Sequence, residues 1–585
     1  MVRDSPRTGP TGRRPLRARV LHPPLRLDRT RGPQRGRPLR PHGPRPSRAR
    51  RLRPRAHPRG ARLDPGRGAL GEGGLRMGTG SRAPAPPHPL PGSRVFLLTA
   101  RVRDLGSVDA LVLGGGPAGL GAAWTLAAGG ARVLVVEREE TVGGLCRTHA
   151  REGYRFDMGG HRFITADRDL LDRVVRLCGD DLLLAERSSE VALLGRRFRY
   201  PLEPLDLARK LPPGLALRAL LSYLRGRLRP GPPVESFEDW ASRRFGRVLY
   251  ELFIGPYTEK LWGVSPAALS PEWAGQRISV PDLWAAARAL FARGDAPART
   301  HAKTFLYPRL GMGQLFERIA AAARSAGALL LTGSVPRAFE RRGTRLNAAL
   351  LETPEGPARV RTDTVLSTVP LPCLLDLALG PEAARELEGA FPFRPVRFLN
   401  IALDRPEALP TTWCYVGEGR LRAGRLQEPK KRSPHMAPPG RSSLMIELPH
   451  APGDDIDRAG DADLLERARG ELGALGVDLG DDVRFAFSVR APEAYPVHLR
   501  GTPAARARAL AALGRLENLR TFGRQGAFRF IFSDAALRMG IAAGEGFLAG
   551  RLPTNQDLAR VQSAQRLTEV ASVVGPTVLA GRERG

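Results

Sequence analysis

The sequence predicts an α/β protein in which a domain built on a parallel β-sheet is interrupted by a second, α+β domain. Three observations support this prediction. A strand, a glycine-rich turn, a helix and a second strand follow one another between Leu111 and Glu137. Strand patterns return between Leu329 and Thr368, after a long helix-rich stretch. A further stretch, roughly 376–514, separates these strands from a glycine-rich segment near the C-terminus.

The first predicted strand leads directly into a glycine motif. Gly114, Gly116 and Gly119 form G-x-G-x-x-G, and Glu137 closes the second strand. Glycine at these positions lets the backbone turn tightly, approach a pyrophosphate and aim a helix N-terminus at its negative charge. An acid after the second strand accepts hydrogen bonds from an adenosine ribose and repels the 2′-phosphate of NADP. The pattern predicts a Rossmann-like βαβ unit; an ordinary tight turn is the alternative for the glycines.

A second glycine pair follows Glu137. Gly143 and Gly144 precede Arg147 in the string GGLCRT. This string resembles flavoproteins of the amine oxidase, protoporphyrinogen oxidase and phytoene desaturase clan. The resemblance implies that the three residues lie along the diphosphate and ribityl chain of FAD. From the local sequence, the alternative is a surface turn with a solvated arginine.

The remaining chain divides into helical and strand patterns, separated by Pro and Gly breaks and by the turns RRGT and PEG. The predicted helices are 168–178, 204–225, 236–252, 282–293, 313–326 and 503–514. The predicted strands are Leu329–Glu340, Arg345–Thr353, Ala358–Thr368, Val396–Leu403 and Ser443–Leu448.

Charge separates the first hundred residues from the rest. Residues 1–106 hold 26 arginines, no lysine and five acids, so they carry +21 of the total +33 and leave +12 for the other residues. This Arg/Pro/Gly-rich arm buries too little apolar surface to offset chain entropy and is predicted to be disordered. It lacks the interleaved aromatics or signal layout of nucleic-acid binding or targeting segments. The change of composition at Ser107 also fits a translation start at Met77 or near Val108.

The four cysteines show neither C-x-x-C spacing nor a metal-ligand grouping. We therefore expect no metal site, and a reducing, cytoplasmic location follows as the default. Outside the βαβ unit, no stretch of 18 apolar residues is free of charges and glycine breaks. This disfavours a transmembrane helix and leaves peripheral membrane contact open.

Five further strings resemble a bacterial family of FAD-dependent oxidoreductases described as protoporphyrinogen-oxidase-like, which is closely related to UDP-galactopyranose mutase. They are MGGHRF (158–163), YTEKLWG (257–263), AGQRI (274–278), YPRLGMGQL (307–315) and GRQGAFRFIFSD (523–534). The resemblance spans residues 108–550 and implies non-covalently bound FAD. It also implies a domain order, which is a basic arm over 1–107, an FAD-binding domain over 108–160, 305–375 and 515–550, a substrate-binding domain over 161–304 and 376–514, and a tail over 551–585.

The resemblance assigns residues to the cofactor. It implies that Gly160, His161, Gly523 and Arg524 lie beside the flavin, with His161 and Arg524 as catalytic candidates. A structurally satisfied histidine is the alternative for His161. The further cofactor residues it implies are Val335, at the adenine, and Asp534, which begins a helix whose amides face the ribityl-phosphate.

Substrate-binding candidates come from two of the strings. Tyr257, Lys260 and Trp262 are implied to form a pocket wall, where aromatic rings stack on a planar or sugar-nucleotide substrate. Core packing of the rings with a solvated lysine is the alternative. Arg277, with Arg524, is expected to fix an anionic substrate group or to stabilise charge on reduced flavin. Structural ion pairs are the alternative for both arginines.

Two departures from the mutase pattern separate the candidate functions. Pro281 occupies the position of a diphosphate-binding arginine of the mutases, and Phe530 that of a tyrosine. These losses weaken substrate binding by about 2–5 kcal/mol. The sequence therefore favours an enzyme that oxidises a small molecule by hydride transfer to flavin and passes the electrons to oxygen or a carrier. A mutase-like isomerase and a non-catalytic flavin-binding scaffold are the alternatives, and porphyrinogens, polyenes, amines and nucleotide sugars remain open as substrates.

Overall fold

The computed structural model describes residues 102–165, 167–200, 202–228, 233–273 and 304–564. Its strands are β1 Arg103–Leu113, β2 Val133–Val136, β3 Thr148–Arg151, β4 Tyr154–Asp157, β5 Leu182–Glu186, β6 Ser189–Leu193, β7 Arg196–Arg199, β8 Thr304–Pro308, β9 Leu329–Leu331, β10 Val335–Arg342, β11 Arg345–Thr353, β12 Gly356–Ser367, β13 Phe393–Leu403, β14 Trp413–Val416, β15 Arg425–Gln427, β16 Ser442–Pro449, β17 Val483–Pro496 and β18 Leu519–Thr521.

The helices alternate with these strands. They are α1 Pro117–Ala128, α2 Arg168–Cys178, α3 Pro204–Lys210, α4 Pro213–Leu228, α5 Phe237–Phe245, α6 Arg247–Leu249, α7 Gly255–Trp262, α8 Met312–Ser325, α9 Leu371–Leu379, α10 Pro381–Arg385, α11 Asp455–Arg458, α12 Asp461–Ala474, α13 Thr502–Leu513, α14 Gly523–Gly526, α15 Ser533–Leu548 and α16 Asn555–Ala564. A π-helical turn, Tyr250–Ile254, joins α6 to α7. The predicted mixed α/β fold is confirmed.

The first sheet has the order β10-β11-β12-β1-β2-β9, and β18 pairs with β12. Strands β12, β1, β2 and β9 run parallel, whereas β10 and β11 are antiparallel to their neighbours. The last four residues of β1 and all of β2 are buried, as expected for parallel strands covered on both faces. Helix α1 connects these two strands and begins with a proline at its first position. The glycine motif therefore lies at the carboxyl end of β1.

The second sheet has the order β17-β13-β16-β15-β14-β6-β7. Its strands come from both stretches that interrupt the first sheet, and β14 and β6 join these stretches through parallel pairing. Helix α7 contacts β16 of this sheet, and Phe237 of α5, Trp262 of α7 and Phe398 of β13 belong to one apolar cluster. The two inserted stretches therefore share a sheet and a core, while the domain limits stay predictions.

Two predicted helices are divided in the structure. The helix expected over 204–225 separates into α3 and α4 because Leu211 precedes Pro212 and adopts an extended conformation. The helix expected over 236–252 ends at Phe245, since Gly246 has φ of +82°. The helix predicted over 282–293 lies outside the described residues.

Two predictions about strands also need correction. The strand expected over Leu329–Glu340 is two strands, because the chain turns at Gly333, where φ is +61°, and leaves β2 for β11. The predicted arm over 1–107 is too long, because β1 begins at Arg103 and pairs with β12 from there. Residues 1–101 of that arm lie outside the described residues.

Among the described residues, no helix has both the length and the apolar character needed to cross a membrane.

Candidate active site

The glycine loop after β1 presents backbone rather than side chains. Gly114 has φ of +100°, a conformation that favours glycine. A Cβ at Gly119 would lie 1.9 Å from the carbonyl oxygen of Gly114, so only glycine lets α1 approach the end of β1 so closely. A Cβ at Gly116 would meet only the Cα of Gly144, at 3.8 Å. No protein atom therefore forbids a side chain at Gly116. The space beside this residue is available to a ligand.

Glu137 is fixed at the end of β2. Its carboxylate accepts hydrogen bonds from the N–H groups of Gly115, at 2.6 Å, and Glu139, at 3.0 Å. The Ser334 N–H donates to the Glu137 carbonyl, which brings Val335 beside the same edge of the sheet. The predicted ribose and adenine residues, Glu137 and Val335, thus lie close together and line one cavity.

The second glycine pair packs back onto the first loop. The N–H of Gly143 donates to the Gly115 carbonyl at 2.8 Å, and a Cβ at Gly144 would lie 3.1 Å from the Cα of Gly116. Arg147 lines the cavity nearby and pairs with Glu139 at 2.8 Å. Its Nε atom is buried and has no hydrogen-bond partner within the described ranges. Open backbone beside an unused cationic donor fits an anionic diphosphate.

A cavity of about 2050 Å³ extends from this loop to an aromatic chamber. Gly116, Glu137 and Arg147 line it at the loop, and Trp262 and Phe530 belong to the lining of the chamber. Typical small-molecule pockets measure roughly 300–1,000 Å³. The cavity therefore has room for a dinucleotide and for a second molecule next to it.

Gly160 and His161 lie on the cavity wall next to a second arginine. A Cβ at Gly160 would come within 2.7 Å of Nη1 of Arg425. The Nε2 atom of His161 is 3.0 Å from the carbonyl oxygen of Met158, so this nitrogen carries the proton and donates. Burial, with the nearby Arg524, lowers the pKa of His161 to about 3. The imidazole is neutral at physiological pH and is a poor proton donor or acceptor for catalysis.

Arg524 lies over aromatic rings in the chamber. Its guanidinium carbon is 4.2 Å from the ring centroid of Phe530 and 5.3 Å from that of Tyr495. The ring of Trp262 is 6.0 Å from Phe530 and 5.8 Å from Tyr495, so the three rings form one contact group. Tyr257 also lines the cavity. The structure thus brings predicted residues from distant parts of the sequence to one wall, where a cation meets aromatic faces.

Lys260 has a different surrounding from the one predicted. Its ammonium donates to the carbonyl oxygens of Val416, at 2.8 Å, Glu418, at 2.7 Å, and Ala423, at 3.2 Å. Burial lowers its pKa to about 8, and the residue does not line the cavity. These three bonds use the donors of the ammonium. Lys260 therefore ties α7 to the β14–β15 connection and is not available to a substrate.

The C-terminal residues divide between the cavity and the interior. Gly523 lines the cavity, with φ of +80°. Asp534 lies in the first turn of α15, is 2% exposed and does not line the cavity. Burial raises its pKa to about 7. Arg277 and Pro281 lie outside the described residues.

Arg425 and its partners were not predicted from the sequence. Arg425 lines the cavity, and its Nη2 is 2.5 Å from Glu447, which is 2% exposed. Gln427 donates to the same carboxylate oxygen at 2.6 Å. The Nε of Arg425 is buried and has no hydrogen-bond partner within the described ranges. A lone acid in the apolar string SSLMIELP was the available signal, because a buried carboxylate requires a partner.

No metal site is present in the described part of the chain, where no three His, Cys, Asp or Glu side chains gather. All four cysteines are free.

Two sheets, a dinucleotide-type glycine loop and an adjoining aromatic chamber are compatible with a flavoenzyme. The family model for flavin containing amine oxidoreductases matches residues 117–496, and the chain belongs to that family. It is an FAD-dependent oxidoreductase.

Known relatives agree with this assignment. The chloroplastic protoporphyrinogen oxidase of Oryza sativa subsp. japonica is 26% identical over 434 residues, which cover 68% of this chain and 80% of the relative. Two crystal structures share the fold. Reduced UDP-galactopyranose mutase has a TM-score of 0.67 at 24% identity, covering 78% of this chain and 99% of that one. A candidate protoporphyrinogen oxidase from Exiguobacterium sp. 255-15 has a TM-score of 0.60 at 16% identity, covering 77% and 100%.

Proposed function

We propose that this enzyme oxidises a small organic substrate by hydride transfer to non-covalently bound FAD. The observation that supports it best is the cavity, which joins the glycine loop to a chamber walled by Trp262, Phe530 and Arg524. A protein that only bound a flavin would not need this chamber beside the cofactor.

Specific residues would hold the cofactor. The backbones of Gly116 and Gly144 and the guanidinium of Arg147 suit the diphosphate, and Glu137 suits the adenosine ribose. Val335 lies beside Glu137 at the position proposed for the adenine. When bound, FAD supplies an acceptor for two electrons.

The chamber residues then act on the substrate. The rings of Trp262, Tyr495 and Phe530 exclude water and offer apolar faces. Arg524 and Arg425 supply fixed positive charge that orients an oxygen-bearing or anionic group. The Nε2–H group of His161 donates to the Met158 carbonyl and helps to hold the loop that carries Gly160. It is a positioning residue in this proposal.

The compounds to be tested as substrates can be ranked. The rice relative is a protoporphyrinogen oxidase, so porphyrinogens come first, with polyenes, amines and nucleotide sugars after them. Phe530 has no hydroxyl to offer a diphosphate, which disfavours a mutase reaction. Oxygen or a carrier would take the electrons.

The test is anaerobic mixing of oxidised holoenzyme with each compound. A true substrate should bleach the flavin band near ~450 nm. Arg524→Ala should keep its flavin and slow this bleaching on the order of 10- to 1,000-fold. Arg345→Ala, which removes a surface ion pair with Glu517, is the matched control. Conversion of UDP-galactopyranose by reduced enzyme without net flavin oxidation would establish the mutase reaction instead, and no bleaching by any compound would favour the scaffold.

A further inference from the structure

Helix α4 carries an apolar stripe on its exposed side. At about 100° per residue, five leucines fall within about 100° of arc, whereas Ala219 and Tyr223 on the opposite side are buried. Four of the five are largely exposed and the fifth, Leu224, is half-buried. The exposed four are Leu217 (57%), Leu220 (54%), Leu221 (56%) and Leu228 (80%).

Arginines border this leucine stripe on both sides. Arg218 and Arg225 fall along one edge and Arg227 along the other, all exposed. Helix α4 contains no Asp or Glu. An exposed leucine of the neighbouring helix α3, Leu205, is 58% exposed, and α3 contacts α4. Contiguous apolar surface of this kind marks an interaction site, whereas single exposed leucines do not.

We propose that the leucine stripe of α4 docks on an anionic lipid surface, with the helix parallel to the membrane plane. The leucines would enter the boundary of the acyl chains, and the flanking arginines would contact headgroup phosphates. The helix has 16 residues, about 24 Å in length, and only one side is free, so it lies on a membrane and does not cross it.

Charge decides between this partner and a second copy of the chain. A two-fold pairing of α4 with itself would place the arginines that border one leucine stripe close to those of the other copy. No acid of this helix would offset that repulsion. An anionic lipid surface instead complements the three arginines and buries the leucines at the same time.

The docking surface is separate from the active site. None of the exposed α4 leucines or arginines lines the cavity. A change at the stripe can therefore be tested while flavin content and substrate bleaching serve as independent checks, so failure of this proposal leaves the proposed function untouched.

The experiment is co-sedimentation of the full-length holoenzyme with phosphatidylcholine vesicles, with and without phosphatidylserine. Wild type should sediment with the anionic vesicles and lose most binding in high salt. Leu217→Glu with Leu221→Glu should lower the bound fraction by about tenfold or more. Leu329→Glu is the matched control, because Leu329 is 62% exposed on β9, an end strand of the first sheet.

A second variant tests the arginines. Arg218→Gln with Arg225→Gln should remove the preference for phosphatidylserine and keep the fold, as judged by flavin content and melting temperature. Three results would overturn the proposal. The first is wild-type protein that stays in solution with anionic vesicles. The second is a loss of vesicle binding in Leu329→Glu equal to that in the α4 leucine variant. The third is an α4 leucine variant that changes the sedimentation coefficient of the protein but not its vesicle binding. The last result would identify a second copy as the partner.

Discussion

A substitution at Gly116 can separate the effect on cofactor binding from the effect on folding. Its φ is −79°, and a Cβ there would meet only the Cα of Gly144 at 3.8 Å. Gly116→Val should therefore fold, while its side chain fills the space proposed for the diphosphate. We expect soluble protein of near wild-type melting temperature in the absence of FAD, purified without its yellow flavin absorbance.

The neighbouring Gly119 gives the contrast. Gly119→Ala forces a Cβ to within 1.9 Å of a backbone oxygen, so this variant should lose stability as well as flavin. A full flavin complement in purified Gly116→Val would contradict the placement of the diphosphate.

His498 makes stability depend on pH. It is 1% exposed and stacks on Phe528 with ring centroids 5.8 Å apart. Burial, with the nearby Arg506, lowers its pKa from 6.5 to about 4. The folded protein thus resists protonation that the unfolded chain accepts. The contribution to stability is present above pH 6.5 and is lost as the pH falls toward 4.

Replacing His498 should remove this dependence. Between pH 7 and pH 4.5 wild type should lose roughly 2–3 kcal/mol more unfolding free energy than His498→Phe. Chemical denaturation at a series of pH values measures this difference. His435→Gln, at an exposed histidine, is the control. Parallel pH profiles for wild type and His498→Phe would rule out the neutral buried state.

At the scale of elements, α1 and α15 cross with almost no side chain between them. A Cβ at Gly540 would lie 1.9 Å from the carbonyl oxygen of Ala118, and one at Gly121 would lie 2.5 Å from that of Leu537. The small residues of α15 thus permit a close helix contact, and α1 begins at the glycine loop. Separation of these helices would move that loop.

Gly540→Ala should therefore lower the unfolding free energy by about 3 kcal/mol and weaken flavin retention, because backbone must move to admit the methyl group. Gly470→Ala on α12 is the matched control, since a Cβ there meets nothing within 4 Å. That change should stabilise by about 0.5–1 kcal/mol. Urea denaturation distinguishes the two, and equal stability would show that the crossing is loose.

Local sequence patterns located helices and strands better than they located the breaks within them. The helix over 168–178 and the strand Arg345–Thr353 were predicted to the residue, because each has clear periodicity and clear ends. The divisions at Gly246 and Gly333 were missed, since periodicity continues across a single glycine that turns the chain. Strand partners could not be predicted from local sequence either, because the pairing of β6 with β14 joins residues far apart in the chain.

At the scale of the molecule, the glycine loop was easier to locate from the sequence than the arginines of the chamber. The glycine loop and Glu137 lie within one short βαβ stretch, and the spacing between them follows the known dinucleotide-binding pattern. Arg425 and Glu447 become meaningful only once two strands bring them together. Lys260 matched a family string, yet its donors are directed at carbonyl groups that no local pattern reveals.

The last prediction concerns the whole chain. Residues 1–101 are rich in Arg, Pro and Gly, a composition that predicts disorder, and β1 begins at Arg103. Protein made as residues 102–585 should therefore keep its flavin and stay within about 1 kcal/mol of the full-length stability, because a segment of this composition is expected to bury little apolar surface. Removal of residues 1–107 should cost more, since it deletes the pairing of Arg103, Asp104 and Ser107 with β12. Loss of flavin from the 102–585 protein would show that the basic arm supports the fold.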